Sequence, residues 1–259
     1  MGKKVVFCNC GAKLISAERL EEIAEFLKQT GTVIVQISDL CGCSITRKKE
    51  TYEIFGHDDE FLIIACYPRA VRLLLEDCGV VYSTDRFNHL NFRELDNPAI
   101  LDRISAFLDS DVQKGIHSEL HSNTEWPSWF PAIDYSRCTA CGQCADFCLF
   151  GVYQKTDKRV VVINPQGCKN NCPACGRICP QTAIVFPKYD QGGAISGADT
   201  IDEIAEQQRQ KHDVDTILGS NIYKALEMRK AKRQSIIRSE AMRKAIEERD
   251  IAKNEGIKE

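Results

Sequence analysis

A short apolar run, Lys4-Val5-Val6-Phe7, has the pattern of a buried strand. From Ser16 or Ala17 onward the pattern changes: Leu20, Ile23, Ala24 and Leu27 recur at helical spacing, and Gly31 stops the helix they predict. Thr32-Val33-Ile34-Val35-Gln36-Ile37 reads as a second, β-branched strand and Phe61-Leu62-Ile63-Ile64-Ala65 as a third. Pro68 then starts a helix through Leu75 that ends near Gly79, and Val80-Val81-Tyr82 reads as a fourth strand. Apolar strands alternating with helices predict an α/β domain with a parallel sheet over residues 1–110.

The periodicity lapses over residues 111–133, which read as a linker carrying Trp126-Pro127-Ser128-Trp129-Phe130-Pro131. The aromatic side chains there are expected to pack the linker against a neighbouring domain rather than to form an electron path. A cysteine-rich domain follows at residues 134–187, and 188–259 read as a hinge and a helical, charged tail. Gly192-Gly193 and Ser196-Gly197 mark the flexible hinge, favoured over a phosphate cradle because no clear strand precedes them. Thr200 with Glu203 resembles a capping box, and Val214, Ile217, Leu218, Ile222 and Leu226 keep helical spacing. Beyond Lys224 the chain is charge-dense, basic residues outnumber acidic ones, and no aromatic follows Tyr223.

The apolar and charged fractions, 43% and 27%, are those of an ordinary soluble globular protein. A net charge of −3 and the interspersed acids of the tail argue against nucleic acid as the partner. Phe61 to Tyr67, the longest apolar stretch, is too short to span a bilayer, and Gly2-Lys3-Lys4 before three apolar residues does not read as an export signal. A myristoylation reading fails at Val6, where Ser or Thr is expected. Fourteen cysteines without an export signal favour a reducing cytoplasm over a disulfide framework.

Eight of those cysteines form two runs, Cys138-x2-Cys141-x2-Cys144-x3-Cys148 and Cys168-x3-Cys172-x2-Cys175-x3-Cys179, the second followed by Pro180. Gaps of two let one tight loop present three thiolates to a cubane, whose remaining iron needs a cysteine from elsewhere. Cys148-Leu149-Phe150-Gly151-Val152-Tyr153 parallels Cys179-Pro180-Gln181-Thr182-Ala183-Ile184, so the two halves read as an internal repeat. Four-cysteine zinc sites also use CxxC pairs, but two runs at this spacing fit zinc poorly. The segment resembles a bacterial two-cluster ferredoxin domain, which implies an α+β ferredoxin-like fold holding two [4Fe–4S] clusters. The resemblance further implies crossed ligation: one cluster on Cys138, Cys141, Cys144 and Cys179, the other on Cys168, Cys172, Cys175 and Cys148. Leu149 in place of the usual proline and the longer Cys168–Cys172 gap depart from the pattern without removing a ligand, and bear on the reduction potentials.

In the first domain, Cys8 and Cys10 follow the first strand, Cys41 and Cys43 the second, and Cys66 the third. Groups just past the carboxyl ends of parallel strands converge on one sheet edge, where ligands bind. Cys78, near a helix end, reads instead as a buried core thiol. Cys8-Asn9-Cys10-Gly11 and Ala65-Cys66-Tyr67-Pro68-Arg69 give the first hundred residues a resemblance to the amino-terminal domain of the flavin-containing subunit of heterodisulfide reductase complexes. That resemblance implies a third [4Fe–4S] cluster on Cys8, Cys10, Cys66 and one of Cys41 or Cys43. Metal-free dithiol chemistry and inert core thiols are the alternatives. No GxGxxG follows a strand and no two cysteines are adjacent, so neither the family's flavin domain nor its paired-cysteine site is expected.

These readings lead to an electron-transfer subunit of a cytoplasmic anaerobic oxidoreductase complex, without a substrate site of its own. Its two or three clusters relay electrons to or from a flavin- or metal-containing partner docked by the carboxyl-terminal helices. The rivals are a reductase acting through its own amino-terminal cysteines, and a sensing iron–sulfur module with a nucleic-acid-binding tail. His117 and His121, four apart, would share a helix face as a metal pair, but with only Glu119 in support they read as solvated surface.

Overall fold

The structure, a computed structural model, describes residues 2–10, 12, 14–108, 115, 117–218 and 224–232, without the side chains of 215, 217 and 218. Its first part is a five-stranded, all-parallel sheet built from β1 (Lys3–Cys8), β2 (Ile34–Ile37), β3 (Glu60–Ala65), β4 (Phe87–Asn91) and β5 (His117–Leu120). The strand order is β4-β3-β1-β2-β5, with Val5 opposite both Ile34 and Leu62 at the centre. Alternation along β1 divides its side chains between two cores. Val5 and Phe7 meet Leu20, Ile23 and Leu27 of α1 (Ala17–Thr30) and Ile100, Ile104 and Leu108 of α5 (Asn97–Leu108). Val6 and Cys8 face the opposite core, with Leu40 and Cys41 of α2 (Leu40–Thr46), Phe55 of α3 (Lys48–Phe55) and Leu74 of α4 (Pro68–Asp77).

The boundaries of α1 follow local chemistry. Ser16 accepts a hydrogen bond from the Arg19 amide at the N-cap, and Gly31 closes the helix in the left-handed region at φ +66°. Pro68 opens α4, where its missing N–H costs nothing.

Two expectations change. Val80-Val81-Tyr82 is not a strand: Val80 is buried, Val81 is 80% exposed, and the stretch only leads to β4. The real strand, Phe-Asn-His-Leu-Asn, mixes polar with apolar residues because it lies at a sheet edge, which obscured it. Residues 111–133 are also more than a linker, since β5 pairs with β2 in parallel and forms the other edge. His117 and His121 therefore lie on and just past a strand rather than on a helix, and both contact the Glu119 carboxylate.

The cysteine-rich segment carries two small antiparallel ribbons. One pairs β6 (Ala132–Ile133) with β9 (Ile184–Val185); the other pairs β7 (Tyr153–Lys155) with β8 (Val160–Val162). Short helices α6 (Gln143–Phe147) and α7 (Ala174–Arg177) begin two residues after Cys141 and Cys172. Trp129 stacks on Phe186 at 5.2 Å between ring centres, worth about 1 kcal/mol beyond the area buried. Trp129 packs in this core, whereas Phe130 beside it packs in the core under the sheet, so the aromatic run reaches both.

The stretch read as a flexible hinge is a packed turn, α8 (Gly193–Ser196), with Ala194, Ile195 and Ser196 buried. At Gly197 (φ +99°) a Cβ would come within 2.6 Å of the Ala70 Cβ, so this close approach to α4 requires glycine. Helix α9 (Glu203–Leu218) starts at Asp202, whose carboxylate accepts from the Ile204 and Ala205 amides, so Asp202 rather than Thr200 caps it. A helical stretch over 224–232 seals the core with Leu226, while Arg229 lies 4.3 Å over the Phe147 ring. Ile222 and the tail beyond 232 lie outside the described residues. Among the described residues, no helix is long and apolar enough to cross a membrane.

Candidate iron–sulfur sites

The two cysteine runs fold as a repeat. Ala140, before Cys141, and Asn171, before Cys172, both adopt left-handed backbone, at φ +56° in each case. Gly151 and Thr182, each three residues past the last cysteine of its run, do so again at φ +65° and +50°. Left-handed residues cost energy outside glycine, and their recurrence at matched positions marks loops bent around something. The extra residue of the Cys168–Cys172 gap falls before Asn171 and leaves the later positions aligned.

The repeat brings the thiols together crosswise. Cys138, Cys141 and Cys144 line one cavity with Cys179 from the far run; about 380 Å³ of it is empty, part of this open to solvent. Burial pushes the Cys144 thiol up to about 12, and the nearby Cys179 and Cys141 push in the same direction. In the other set, burial and then the neighbouring Cys148 and Cys172 raise Cys168 to about 12. The buried Cys175 lies 3.0 Å from the Tyr153 hydroxyl. Thiols that resist ionisation when alone are those a cationic metal cage must deprotonate and hold.

At the carboxyl edge of the sheet, Cys8 ends β1, Cys10 follows it, Cys41 lies in the first turn of α2, and Cys66 follows β3. All four line one cavity, of which about 410 Å³ is empty. Burial is the largest influence on Cys66, which rises to about 11, with Cys10 next. Cys43 does not line this cavity: it is fully buried on α2, turned toward the core that also holds Cys78. Cys78 approaches the Ser44 carbonyl at 3.7 Å, as a core thiol would.

Three polar residues missed by sequence reading border the amino-terminal cavity: Asp39, Arg93 and Lys188. Lys188 comes from beyond the second cysteine run, and its Nζ lies 2.7 Å from Asp39 Oδ2 and 3.1 Å from the Pro127 carbonyl. Asp39 Oδ1 and Arg93 Nη1 are buried without a hydrogen-bond partner. No periodicity marks such residues; only the docking of distant segments brings them to the site.

The donor chemistry fits [4Fe–4S] groups. Each set supplies four sulfurs, and the orphaned Arg93 Nη1 offers a donor to a cluster whose four thiolates would make it anionic overall. Among the described residues, no group of three or more His, Cys, Asp or Glu side chains is positioned for a single metal ion.

Residues 131–151, which take in the whole first run from Cys138 to Cys148, match the family described as 4Fe-4S binding domain. A stretch of 61 residues, 23% of the chain, is 48% identical to an uncharacterized ferredoxin of Methanocaldococcus jannaschii. The match spans 42% of that relative's length. No solved structure matches the chain. The chain thus carries a ferredoxin-type 4Fe–4S segment beside a parallel α/β sheet.

Proposed function

We propose that the chain relays electrons through three [4Fe–4S] clusters, as the conducting subunit of a cytoplasmic oxidoreductase complex. Cys138, Cys141, Cys144 and Cys179 hold one cluster, and Cys148, Cys168, Cys172 and Cys175 hold the second. Cys8, Cys10, Cys41 and Cys66 hold the third: the resemblance to the heterodisulfide reductase flavin subunit implies Cys8, Cys10, Cys66 and one of Cys41 or Cys43, and Cys41 is the one that lines the cavity. The observation that carries this reading is the pair of four-thiol cavities, one in the ferredoxin-type segment and one at the sheet edge. When bound, the clusters supply one-electron steps; the chain's own residues hold them, shield them and set their charge environment.

The electrons enter from or leave to a flavin- or metal-containing protein. The chain's described helices after Thr200 pack on its own cysteine-rich core, so partner docking is assigned to the charged residues beyond 232. The test is anaerobic reconstitution of the full chain with iron counting and EPR. About twelve irons support three clusters, and about eight remove the amino-terminal one. A pull-down comparing the full chain with one ending at Lys232 tests the docking assignment, since both keep the helices that seal the core.

A further inference from the structure

The amino-terminal cavity is bordered by three charged side chains from three separate places in the chain. Asp39 precedes α2, Arg93 follows β4, and Lys188 follows β9. Lys188 and Asp39 pair at 2.7 Å, with side chains only 14% and 17% exposed. Arg93 is held over the Tyr67 ring at 4.8 Å, and its Nη2 donates to the Asp190 carbonyl, leaving Nη1 buried and unpartnered. Such an arrangement is costly in an empty core, because a buried guanidinium nitrogen without an acceptor loses its hydration for nothing. A sulfur-rich anion in the cavity supplies the missing acceptor.

We propose that Lys188, Arg93 and Asp39 are positioning residues that set the reduction potential of the amino-terminal cluster, Lys188 and Arg93 raising it and Asp39 lowering it. This rests on the reading of Cys8, Cys10, Cys41 and Cys66 as a cluster site. Reduction by a partner adds one electron, and so one negative charge, to the cage. A fixed cation close by favours the reduced form and a fixed anion opposes it, and partial burial keeps water from screening either effect. Because Lys188 directly follows the cysteine-rich segment, the potential of the sheet-edge cluster depends on that segment being docked. The site therefore reaches its working potential only in the assembled chain, where electrons have somewhere to go.

The experiment is an EPR-monitored redox titration of the full, anaerobically reconstituted chain, run alongside iron counts. Lys188→Met and Arg93→Met each make the potential of the amino-terminal cluster more negative, and Asp39→Asn makes it more positive. The Asp39→Asn/Lys188→Met double variant, which strands no buried charge and so guards against misfolding, returns it to near the wild-type value. The two ferredoxin-type clusters stay unmoved throughout. Unchanged potentials with all twelve irons in place overturn the proposal alone, as do shifts of the same sign in the Asp39 and Lys188 single variants. A wild-type chain with about eight irons overturns both it and the cluster reading beneath it.

Discussion

Arg69 Nε lies 2.7 Å from Asp134 Oδ2, and both side chains are 3% exposed. This buried ion pair joins the helix that begins just after Cys66 to the start of the cysteine-rich segment, four residues before Cys138. The Asp134 carbonyl receives the Cys138 amide, while the Arg69 guanidinium also donates to the Thr182 and Ala194 carbonyls. One side chain thus ties α4 to two points on the cysteine-rich segment and to the α8 turn beyond it. Its removal leaves Asp134 buried with only Arg72, at 3.4 Å, as a cationic partner. Arg69→Met is expected to destabilise the protein by about 3–5 kcal/mol in denaturant unfolding, since breaking one side of a buried pair strands the other charge.

The same pair gives a pH dependence. Burial pushes the Asp134 carboxyl up, but Ser136 and the Arg69 and Arg72 guanidiniums outweigh it and hold it below its ordinary value of 3.8. A carboxyl depressed by folding contributes stability that is complete above its unfolded pKa and is lost as pH falls through the folded value. Unfolding free energies measured from about pH 5 to 3 should therefore fall more steeply for the wild type than for Asp134→Asn. Parallel curves would show that the pair does not control acid stability.

Cys66 lines the sheet-edge cavity and Cys43 does not, so the two thiols test the proposed third cluster. Cys66→Ser should lower the iron content by about four per chain, because a cubane at the sheet edge loses one of its four anchors. Cys43→Ser should leave the iron count unchanged and cost about 1–3 kcal/mol of stability, the penalty for a hydroxyl placed where a thiol packed in an apolar core. Loss of iron in both variants would assign Cys43 to the site.

Much of this was legible in the chain itself. Lys4 to Phe7 and Phe61 to Ala65 are apolar enough to read as central strands, and Ser16 and Gly31 bracket their helix by capping chemistry alone. Spacing alone groups the cysteines of each run; the exchange of Cys148 and Cys179 between them was implied only by the resemblance to two-cluster ferredoxins, and Cys179 does line the cavity of the first run. The edge strands β4 and β5 were not legible: half-solvated, they carry polar residues such as Asn88, His117 and Glu119, which blur the apolar pattern. The choice of Cys41 over Cys43 as a cavity residue turned on the rotation of one short helix. Lys188 and Arg93 depend on docking between distant segments, which no local pattern encodes.

Tyr153 tests the proposed second cluster. Its hydroxyl, buried 3.0 Å from Cys175 Sγ, is placed to donate to a thiolate there. A hydrogen bond to a ligand sulfur favours the more negative, reduced state, so Tyr153→Phe should lower the potential of the Cys148/168/172/175 cluster. Losing a bond worth about 1 kcal/mol corresponds to a shift on the order of 40 mV for one electron. Redox titration should find that shift in one cluster only; none at all would mean the hydroxyl points elsewhere when the cluster is present.

Thr182 joins the tail to the turn that follows Cys179. It sits at φ +50° three residues past Cys179, Arg69 holds its carbonyl, and its hydroxyl accepts from Gln210 Nε2 of α9 at 2.8 Å. Gln210 is itself 7% exposed, so this bond is shielded from water, and it braces a residue whose backbone would otherwise relax. Relaxation there would carry Cys179, the only cysteine lining that cavity from the second run, away from Cys138, Cys141 and Cys144. Gln210→Leu should therefore hasten the loss of that cluster to a chelator while sparing the sheet-edge site. A bond of about 1.4 kcal/mol, if lost wholly in the closed state, corresponds to roughly tenfold in the opening equilibrium and so in the release rate. Equal release from all sites would mean that Gln210 acts on the stability of the whole protein and not on the Thr182 turn.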